Sequence, residues 1–170
     1  MERANRKRRH ALQRVRLDDM TEAEFQDFRR QSIERYAQEN VKAGYWHLED
    51  SLQRSEAENA RLLPEGLKTP DHHVLMVRDE STGVSVGSIW LKVDRSGPVP
   101  SGFIYDVFVY EEFRNKGYGK AIMSAIEVKA GEHGLRTLYL HVFAHNPVAM
   151  RLYQNSGFEV GSLNMRKGIG

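Results

Sequence analysis

The segment FRNKGYGKAIM, residues 113–123, places positive side chains and two closely spaced glycines just before an apolar helical pattern. Glycine lets a ligand approach the main chain, and the free N–H groups and dipole at a helix N-terminus favour negative charge. Arg114, Lys116 and Lys120 add positive charge around Gly117 and Gly119. The segment is therefore a candidate phosphate-binding loop. The same two glycines could instead serve only a strand-to-helix turn, and the motif alone leaves both interpretations open.

The elements around this loop are predicted from their apolar spacing. Residues 102–110, GFIYDVFVY, are β-branched and aromatic enough for a buried strand. Residues 119–132 show a helical apolar face, and residues 135–143 predict a further strand. The segment 146–157 begins with Asn and Pro and stops at Gly, the usual signals for the two ends of a helix. The loop is thus expected at the junction between a strand and a helix.

The rest of the chain predicts two helices and a hairpin. Residues 20–44 carry a capping box and one apolar helical face, and a weaker helical pattern covers about 49–63. Residues 73–79 and 84–94 predict two strands joined by a turn, and residues 158–167 predict one or two short strands. The order β-α-α-β-β-β-α-β-α-β mixes hairpins with βαβ units. This predicts a single α+β domain with one mixed sheet and about four helices.

Composition excludes several classes of chemistry. The 170 residues contain no cysteine, which removes disulfides, thiol nucleophiles and Cys-based zinc sites. His72 and His73 are adjacent and would point to opposite faces of a strand, so no metal site is predicted. The sequence shows neither an apolar run of membrane-spanning length nor a secretory signal pattern, so we expect a cytoplasmic protein that binds no membrane.

The first 16 residues are strongly basic, whereas the rest of the chain is slightly acidic. They carry seven lysines and arginines against one acid, within a net charge of +2 for the whole chain. We expect residues 1–14 to be a flexible basic arm and residues 15–170 to be the folded domain. A role in nucleic-acid or ribosome binding is the alternative, but no aromatic residue lies among the basic ones to stack on bases.

A second motif follows in the C-terminal half. Asn146, Ala149, Leu152, Tyr153 and the pair Gly157-Phe158 form N-x-x-A-x-x-L-Y-x-x-x-G-F. Together with R-x-x-G-x-G in the first loop, this order of motifs resembles the GCN5-related N-acetyltransferase (GNAT) superfamily. The resemblance is strong over about 75–160, and VKAGYW with LLPEGLKTPDHH extends it to small uncharacterised bacterial GNAT proteins. Only the basic arm lies outside it.

The resemblance implies a fold and a cofactor site. It implies splayed parallel strands that form an acetyl-CoA cleft, with acetyl-CoA as co-substrate. Main-chain groups of residues 107–109 would contact the pantetheine arm and the acetyl oxygen, as backbone N–H groups do in other acyl-transfer sites. Asn146 would contact the pantetheine arm, although it could also act only as a helix N-cap. The full implied cofactor set is Val107, Phe108, Val109, Arg114, Asn115, Lys116, Gly117, Tyr118, Gly119, Lys120, Asn146 and Tyr153.

Two residues are candidates for proton transfer. A phenol with an ordinary pKa near 10 stays protonated at neutral pH and can protonate a departing thiolate, so Tyr153 is the predicted general acid. Its alternative role is to pack its ring. Asp106, on the strand beside the cleft, is the candidate base for the amine, or else a structural carboxylate. His141 and His145 flank the following strand and are weaker candidates.

These expectations define an N-acetyltransferase that moves an acetyl group from acetyl-CoA to a primary amine by direct attack in a ternary complex. A non-enzymatic acyl-CoA-binding sensor is the alternative. The amine is not identified by any motif, and a homodimer is a further possibility.

Overall fold

The computed structural model describes residues 13–169, which form five strands and four helices. Short 3₁₀ turns cover Gly66–Lys68 and Glu111–Phe113. The strands are β1 (Val15–Asp19), β2 (His72–Asp79), β3 (Ser85–Asp94), β4 (Ser101–Val109) and β5 (Thr137–Leu140). The helices are α1 (Glu22–Lys42), α2 (Leu48–Leu62), α3 (Tyr118–Glu132) and α4 (Pro147–Asn155).

The strands form one mixed sheet in the order β1-β2-β3-β4-β5. The first four pair antiparallel, and β5 pairs parallel to β4. A parallel neighbour requires a crossover, which α3 supplies between β4 and β5. The predicted α+β class, with one mixed sheet and four helices, is confirmed.

Apolar side chains on both sheet faces divide the molecule into layers. On one face, Ile122, Met123 and Ile126 of α3 are fully buried, and Leu152 and Tyr153 of α4 pack against the same cluster. On the other face, α1 and the end of α2 pack over β2 and β3. The core on that face contains Phe25, Phe28, Leu63, Val74, Met76 and Trp90.

Local sequence signals fix the helix starts. Thr21 and Glu24 form the predicted capping box at the start of α1. Gly117 precedes α3 with a φ of 92°, a left-handed conformation that favours glycine. Asn146 caps α4, since its side-chain oxygen accepts a hydrogen bond from the Ala149 N–H at 3.1 Å.

Two predicted strands differ from the structure. The strand expected over 135–143 pairs only through Thr137–Leu140, since its pairing with β4 ends at Ile104 and Leu140. The strands expected over 158–167 do not form, and residues 158–169 have no regular secondary structure. Gly161 and Gly168 lower the strand propensity of this segment. The predicted flexibility of the basic arm concerns mostly residues 1–12, which lie outside the described part of the chain.

No helix within residues 13–169 is both long enough and apolar enough to cross a membrane.

Candidate active site

A wedge-shaped cleft opens between β4 and β5. The two strands pair through Ser101–Ile104 and Thr137–Leu140, and the pairing stops there. Residues 106–109 of β4 continue to pair with β3 on their other side. In an antiparallel pair, alternate residues direct their main-chain groups to opposite edges, so Val107 and Val109 face the cleft and Phe108 faces β3. The predicted splay is present, but the main chain of Phe108 is engaged with β3 and is a poor candidate for a cofactor contact.

A β-bulge changes which side chains point to each face of β4. Leu91 pairs with Ile104, but the preceding residue, Trp90, pairs with Asp106, so Tyr105 is an extra residue in β4. Ile104 before the bulge and Val107 and Val109 after it therefore all pack against the core beneath α3. Asp106 instead faces α1.

The predicted phosphate-binding loop connects β4 to α3. Gly117 is the N-cap and has no side chain to accept the N–H groups of the first helical turn, so these groups remain available to a ligand. Arg114, Lys116 and Lys120 are exposed around them. Arg114 also donates from Nε to the Val109 carbonyl at 3.2 Å, which joins the loop to the cleft-facing edge of β4.

Two residues of this loop have structural roles that the sequence did not reveal. The Tyr118 side chain is buried, and its hydroxyl donates to Asp79 Oδ2 at 2.8 Å. Only its main-chain N–H could therefore meet a ligand. A Cβ on Gly119 would lie 3.1 Å from Leu152 Cδ2 of α4. A side chain at Gly119 would therefore press on Leu152, so the glycine favours the close packing of α3 and α4 and does not by itself indicate a bound phosphate.

Asp79 anchors the start of α3 to the β2–β3 turn. Its Oδ1 accepts hydrogen bonds from Ser81 and Thr82, and its Oδ2 accepts one from Tyr118. The hydrogen bonds from Ser81, and then that from Tyr118, hold the pKa of Asp79 well below its usual range. A lowered pKa means that ionised Asp79 stabilises the fold above the ordinary carboxyl pKa of about 4, and that this stability is lost as the pH falls below it.

Replacing Tyr118 with phenylalanine should lower the free energy of unfolding at pH 7 by about 1–3 kcal/mol, because a buried hydrogen bond to a carboxylate is lost. Urea unfolding at pH 7 measures this loss. The stability of the wild type should also fall as the pH drops below about 4, because the unfolded chain then binds a proton at Asp79 while the folded chain does not. Tyr139→Phe is the matched control, since Tyr139 is 55% exposed, and it should change stability little. Unchanged stability of Tyr118→Phe at pH 7 would contradict this role for the hydrogen bond to Asp79.

Tyr153 lies on α4 at the cleft. Its ring packs against the core beneath α3 and meets the Phe158 ring edge-on, with the centroids 6.0 Å apart. Within residues 13–169 no group hydrogen-bonds its hydroxyl. Burial, and then the charge of Asp106, raise the pKa of Tyr153 to about 12. The phenol is therefore protonated at neutral pH and available to donate.

Asp106 is held by α1. Its Oδ2 accepts a hydrogen bond from Arg35 at 2.6 Å, and both side chains are about three-quarters or more buried. The Arg35 guanidinium also lies 3.9 Å from the centroid of the Phe108 ring. One carboxylate oxygen of the predicted base is therefore occupied by an ion pair.

A second pair joins α1 to the end of the cleft. His145 contacts the Glu39 carboxylate through Nε2, and its ring stacks on Phe143 at a centroid distance of 5.3 Å. Arg35 and Glu39 are one helical turn apart, so both point from α1 toward the cleft. Sequence reasoning missed these two residues, since their partners lie 71 and 106 positions away. Nothing in the local sequence of α1 indicates such contacts for these two polar residues.

The splayed cleft, the loop at the start of α3 and the tyrosine on α4 define an acyltransferase architecture. A sequence model of the acetyltransferase (GNAT) family matches residues 17–158, and the chain belongs to that family and is an acetyltransferase.

Known relatives support this assignment over most of the chain. It is 38% identical to the uncharacterised N-acetyltransferase YycN of Bacillus subtilis, over 90% of this chain and 97% of that one. It is 35% identical to the uncharacterised N-acetyltransferase YdgE of the same organism, over 89% and 96%. The crystal structure of YycN superimposes with a TM-score of 0.87, covering 91% of this chain and 98% of that chain. The CoA complex of aminoglycoside N-acetyltransferase AAC(6')-Iy shares the fold, with a TM-score of 0.58 at 15% identity over 92% and 95%.

Proposed function

We propose that this acetyltransferase transfers the acetyl group of acetyl-CoA to a primary amine, by direct attack in a ternary complex. The observation that carries the proposal is the separation of β4 from β5 beyond Ile104 and Leu140. This separation leaves cleft-facing main-chain groups on Val107 and Val109, between a cationic helix N-terminus and the partly buried Tyr153. A long ligand with a phosphate at one end and a thioester at the other matches these features in order.

The loop would hold the pyrophosphate. The N–H groups of Gly117, Tyr118 and Gly119 are at or near the start of α3, where the helix dipole favours an anion. Arg114 and Lys120 would contribute charge. The other predicted contacts are Asn115 and Lys116 in the loop, and Asn146 along the pantetheine arm.

The reacting end would lie between β4 and α4. Acetyl-CoA supplies the activated acetyl group, and an N–H of Val107 or Val109 would stabilise the charge that develops on its carbonyl oxygen. As the C–N bond to the amine forms and the C–S bond breaks, Tyr153 would give its proton to the departing sulfur. The chain has no cysteine, so no thiol acyl-enzyme lies on this path.

The amine must lose a proton during the same reaction. Asp106 is the predicted acceptor and lies close enough to Tyr153 to influence its pKa. Its pairing with Arg35 supports an additional role in fixing α1 over the sheet. His145, oriented by Glu39, is the second candidate on the α1 side of the cleft.

Replacing Asp106 with asparagine should separate these roles. The free energy of unfolding should fall by about 1–3 kcal/mol, because Arg35 loses its partner while remaining mostly buried. If Asp106 also takes the proton, kcat/KM of the variant should recover toward the wild-type value as the pH rises and the amine deprotonates by itself. A constant ratio of variant to wild type across pH 7–10 would assign that proton to another group. Asp27→Asn, whose side chain is 70% exposed, is the matched control.

The function itself is tested by measuring CoA release with purified protein, acetyl-CoA and a library of amines. The library should include polyamines, amino sugars, free lysine and peptides with a free N-terminus. A thiol reagent can report the CoA without background, because the protein contains no thiol. Amine-dependent release with formation of the acetylated amine is the expected result. Tight binding of acetyl-CoA without turnover of any amine would favour the acyl-CoA sensor instead.

A further inference from the structure

A row of aromatic rings crosses the sheet beside Asp106. The His72 ring of β2 accepts a hydrogen bond at Nδ1 from Trp90 Nε1 of β3, at 2.9 Å. The Tyr105 ring of β4 stacks on Trp90 with the centroids 4.8 Å apart, and the Phe103 centroid lies 4.7 Å from that of Tyr105. At such distances aromatic rings attract one another beyond the effect of their burial. We call His72, Trp90, Tyr105 and Phe103 the aromatic row.

The β-bulge in β4 places the aromatic row next to the proposed base. Adjacent residues of a regular strand point to opposite faces of the sheet. At the bulge this alternation is interrupted, because Tyr105 stacks on Trp90 and the next residue, Asp106, pairs with Arg35 of α1. Trp90 is also the residue that pairs with Asp106 across β3 and β4. The ring of Tyr105 and the carboxylate of Asp106 therefore lie side by side on the α1 face of the sheet.

Exposure increases along the aromatic row from β3 to β4. Trp90 is 4% exposed and belongs to the core between the sheet and α1, whereas Tyr105 is 36% exposed. Trp90 is therefore the buried layer of the stack, and Tyr105 is the outer layer. Small-molecule sites are lined mainly by apolar and aromatic side chains with a few polar groups among them. A fixed, partly exposed ring beside the carboxylate of Asp106 matches that description.

The charged groups around the aromatic row already have partners. Arg61 and Glu58 of α2 lie close enough to Tyr105 for their charges to act on its hydroxyl, and the two side chains pair with each other at 2.8 Å. Asp106 pairs with Arg35 at 2.6 Å. A second ammonium group on the acceptor would have to compete with these ion pairs, whereas an uncharged ring would not. The charges therefore favour an acceptor with one amine and an apolar body over a polyamine.

We propose that the acceptor is a primary amine on a short alkyl chain that ends in an aromatic ring, and that this ring stacks on Tyr105 and Phe103. This rests on the proposed function and names its substrate class. With the ring on the aromatic row, the alkyl chain directs the amine along β4 to Asp106. The amine nitrogen loses its proton to the base and bonds to the acetyl carbon as the C–S bond breaks, and CoA leaves as a thiol protonated by Tyr153. An amino sugar fits less well, because its hydroxyl groups would lie against ring faces that offer few hydrogen-bond partners.

Turnover of matched amines by the wild type tests the substrate class. Phenethylamine and hexylamine are both primary amines with an apolar body, and only the first has an aromatic ring. In the CoA-release assay, kcat/KM for phenethylamine should exceed that for hexylamine and for spermidine by at least about tenfold. An equal or higher kcat/KM for hexylamine or spermidine would overturn this substrate class and leave the proposed function intact. If no amine of any class causes CoA release, the proposed function is wrong as well.

Substitutions at Tyr105 test its role as the specificity-determining residue. Tyr105→Leu keeps an apolar side chain but removes the ring, so KM for phenethylamine should rise by at least about tenfold while kcat changes little. KM for hexylamine should not change, because it has no ring to stack. Tyr105→Phe keeps the ring and is the matched control, with both KM values near those of the wild type. An equal rise in KM for both amines in Tyr105→Leu would show that Tyr105 acts only through the structure of β4, and would overturn the proposal.

Binding can also be measured without turnover. CoA carries no acetyl group, so phenethylamine can bind beside it but cannot react. Calorimetric titration of phenethylamine into the complex with CoA should give a Kd at least about tenfold higher for Tyr105→Leu than for the wild type or Tyr105→Phe. Melting temperatures of the three proteins show whether the variants fold, and the comparison of amines on the wild type holds in either case. An equal Kd in all three folded proteins would place the ring of the amine elsewhere and contradict the proposal.

Discussion

Replacing Tyr153 with phenylalanine should lower kcat for a good amine substrate by roughly 10²–10⁴-fold, while the Kd for acetyl-CoA changes little. The ring and its contact with Phe158 are kept, so binding and folding should survive. The variant loses the hydroxyl proposed to protonate the departing sulfur. Stopped-flow turnover and calorimetric titration with acetyl-CoA would separate the two effects.

The pH dependence of the wild type provides a check on this role. Because the pKa of Tyr153 is raised to about 12, its deprotonation should not reduce kcat anywhere between pH 7 and 10. Tyr139→Phe is the control for loss of a tyrosine hydroxyl away from the cleft. If Tyr153→Phe turns over at the wild-type rate, with chemistry shown to be rate-limiting, then water or His145 would have to supply the proton.

Reversing two charges in the loop should have the largest effect on cofactor binding. We expect Arg114→Glu/Lys120→Glu to raise the Kd for acetyl-CoA by at least about 100-fold, equivalent to about 2.7 kcal/mol. Both side chains are exposed, and both lie at or next to the start of α3, so the substitutions would place negative charge beside the proposed pyrophosphate site. Calorimetry at two salt concentrations should also show weaker salt dependence in the variant.

Lys68→Glu, an equivalent reversal on the exposed 3₁₀ turn before β2, is the control and should leave the Kd unchanged. Gly119→Asp would be a poorer test, because its side chain would collide with Leu152 and could disturb α4 by packing alone. An unchanged Kd in the double variant, with an unchanged melting temperature, would show that the pyrophosphate lies elsewhere.

The sequence was sufficient to predict the order of elements up to α4 and the place of the loop between β4 and α3. The apolar spacing changes from a helical period to a strand period along the chain, and capping residues mark where helices begin. Together with the order of the two motifs, these signals predict where β4, α3, β5 and α4 lie. These signals are local, and they depend on backbone propensities that hold in many folds. The family resemblance then supplied the splay between β4 and β5, which the pairing confirms.

Long-range side-chain partners could not be predicted in this way. Arg35 and Asp106 lie in distant parts of the chain, and their ion pair depends on how α1 crosses the sheet. No sequence pattern near Gly119 indicates that Leu152 packs against it. The prediction of strands over 158–167 was wrong for a related reason, since a strand requires a partner as well as a suitable composition. Within residues 13–169, the segment 158–169 does not pair with the outer edge of β5.

The bulge at Tyr105 has a consequence for how the site can change by mutation. Side chains of a strand alternate between faces, so the number of residues between two positions decides whether they share a face. Deleting Tyr105 would remove the extra residue and restore regular pairing, so Ile104 and Val107 would stay on the core face and Asp106 on the face of α1. Deleting Val107 instead would exchange the faces of the residues that follow it, so Phe108 would turn toward the core and Val109 toward α1. The division of β4 between core and chemistry can therefore survive loss of the bulge residue, whereas a one-residue deletion within residues 106–109 would be far more disruptive than any substitution there.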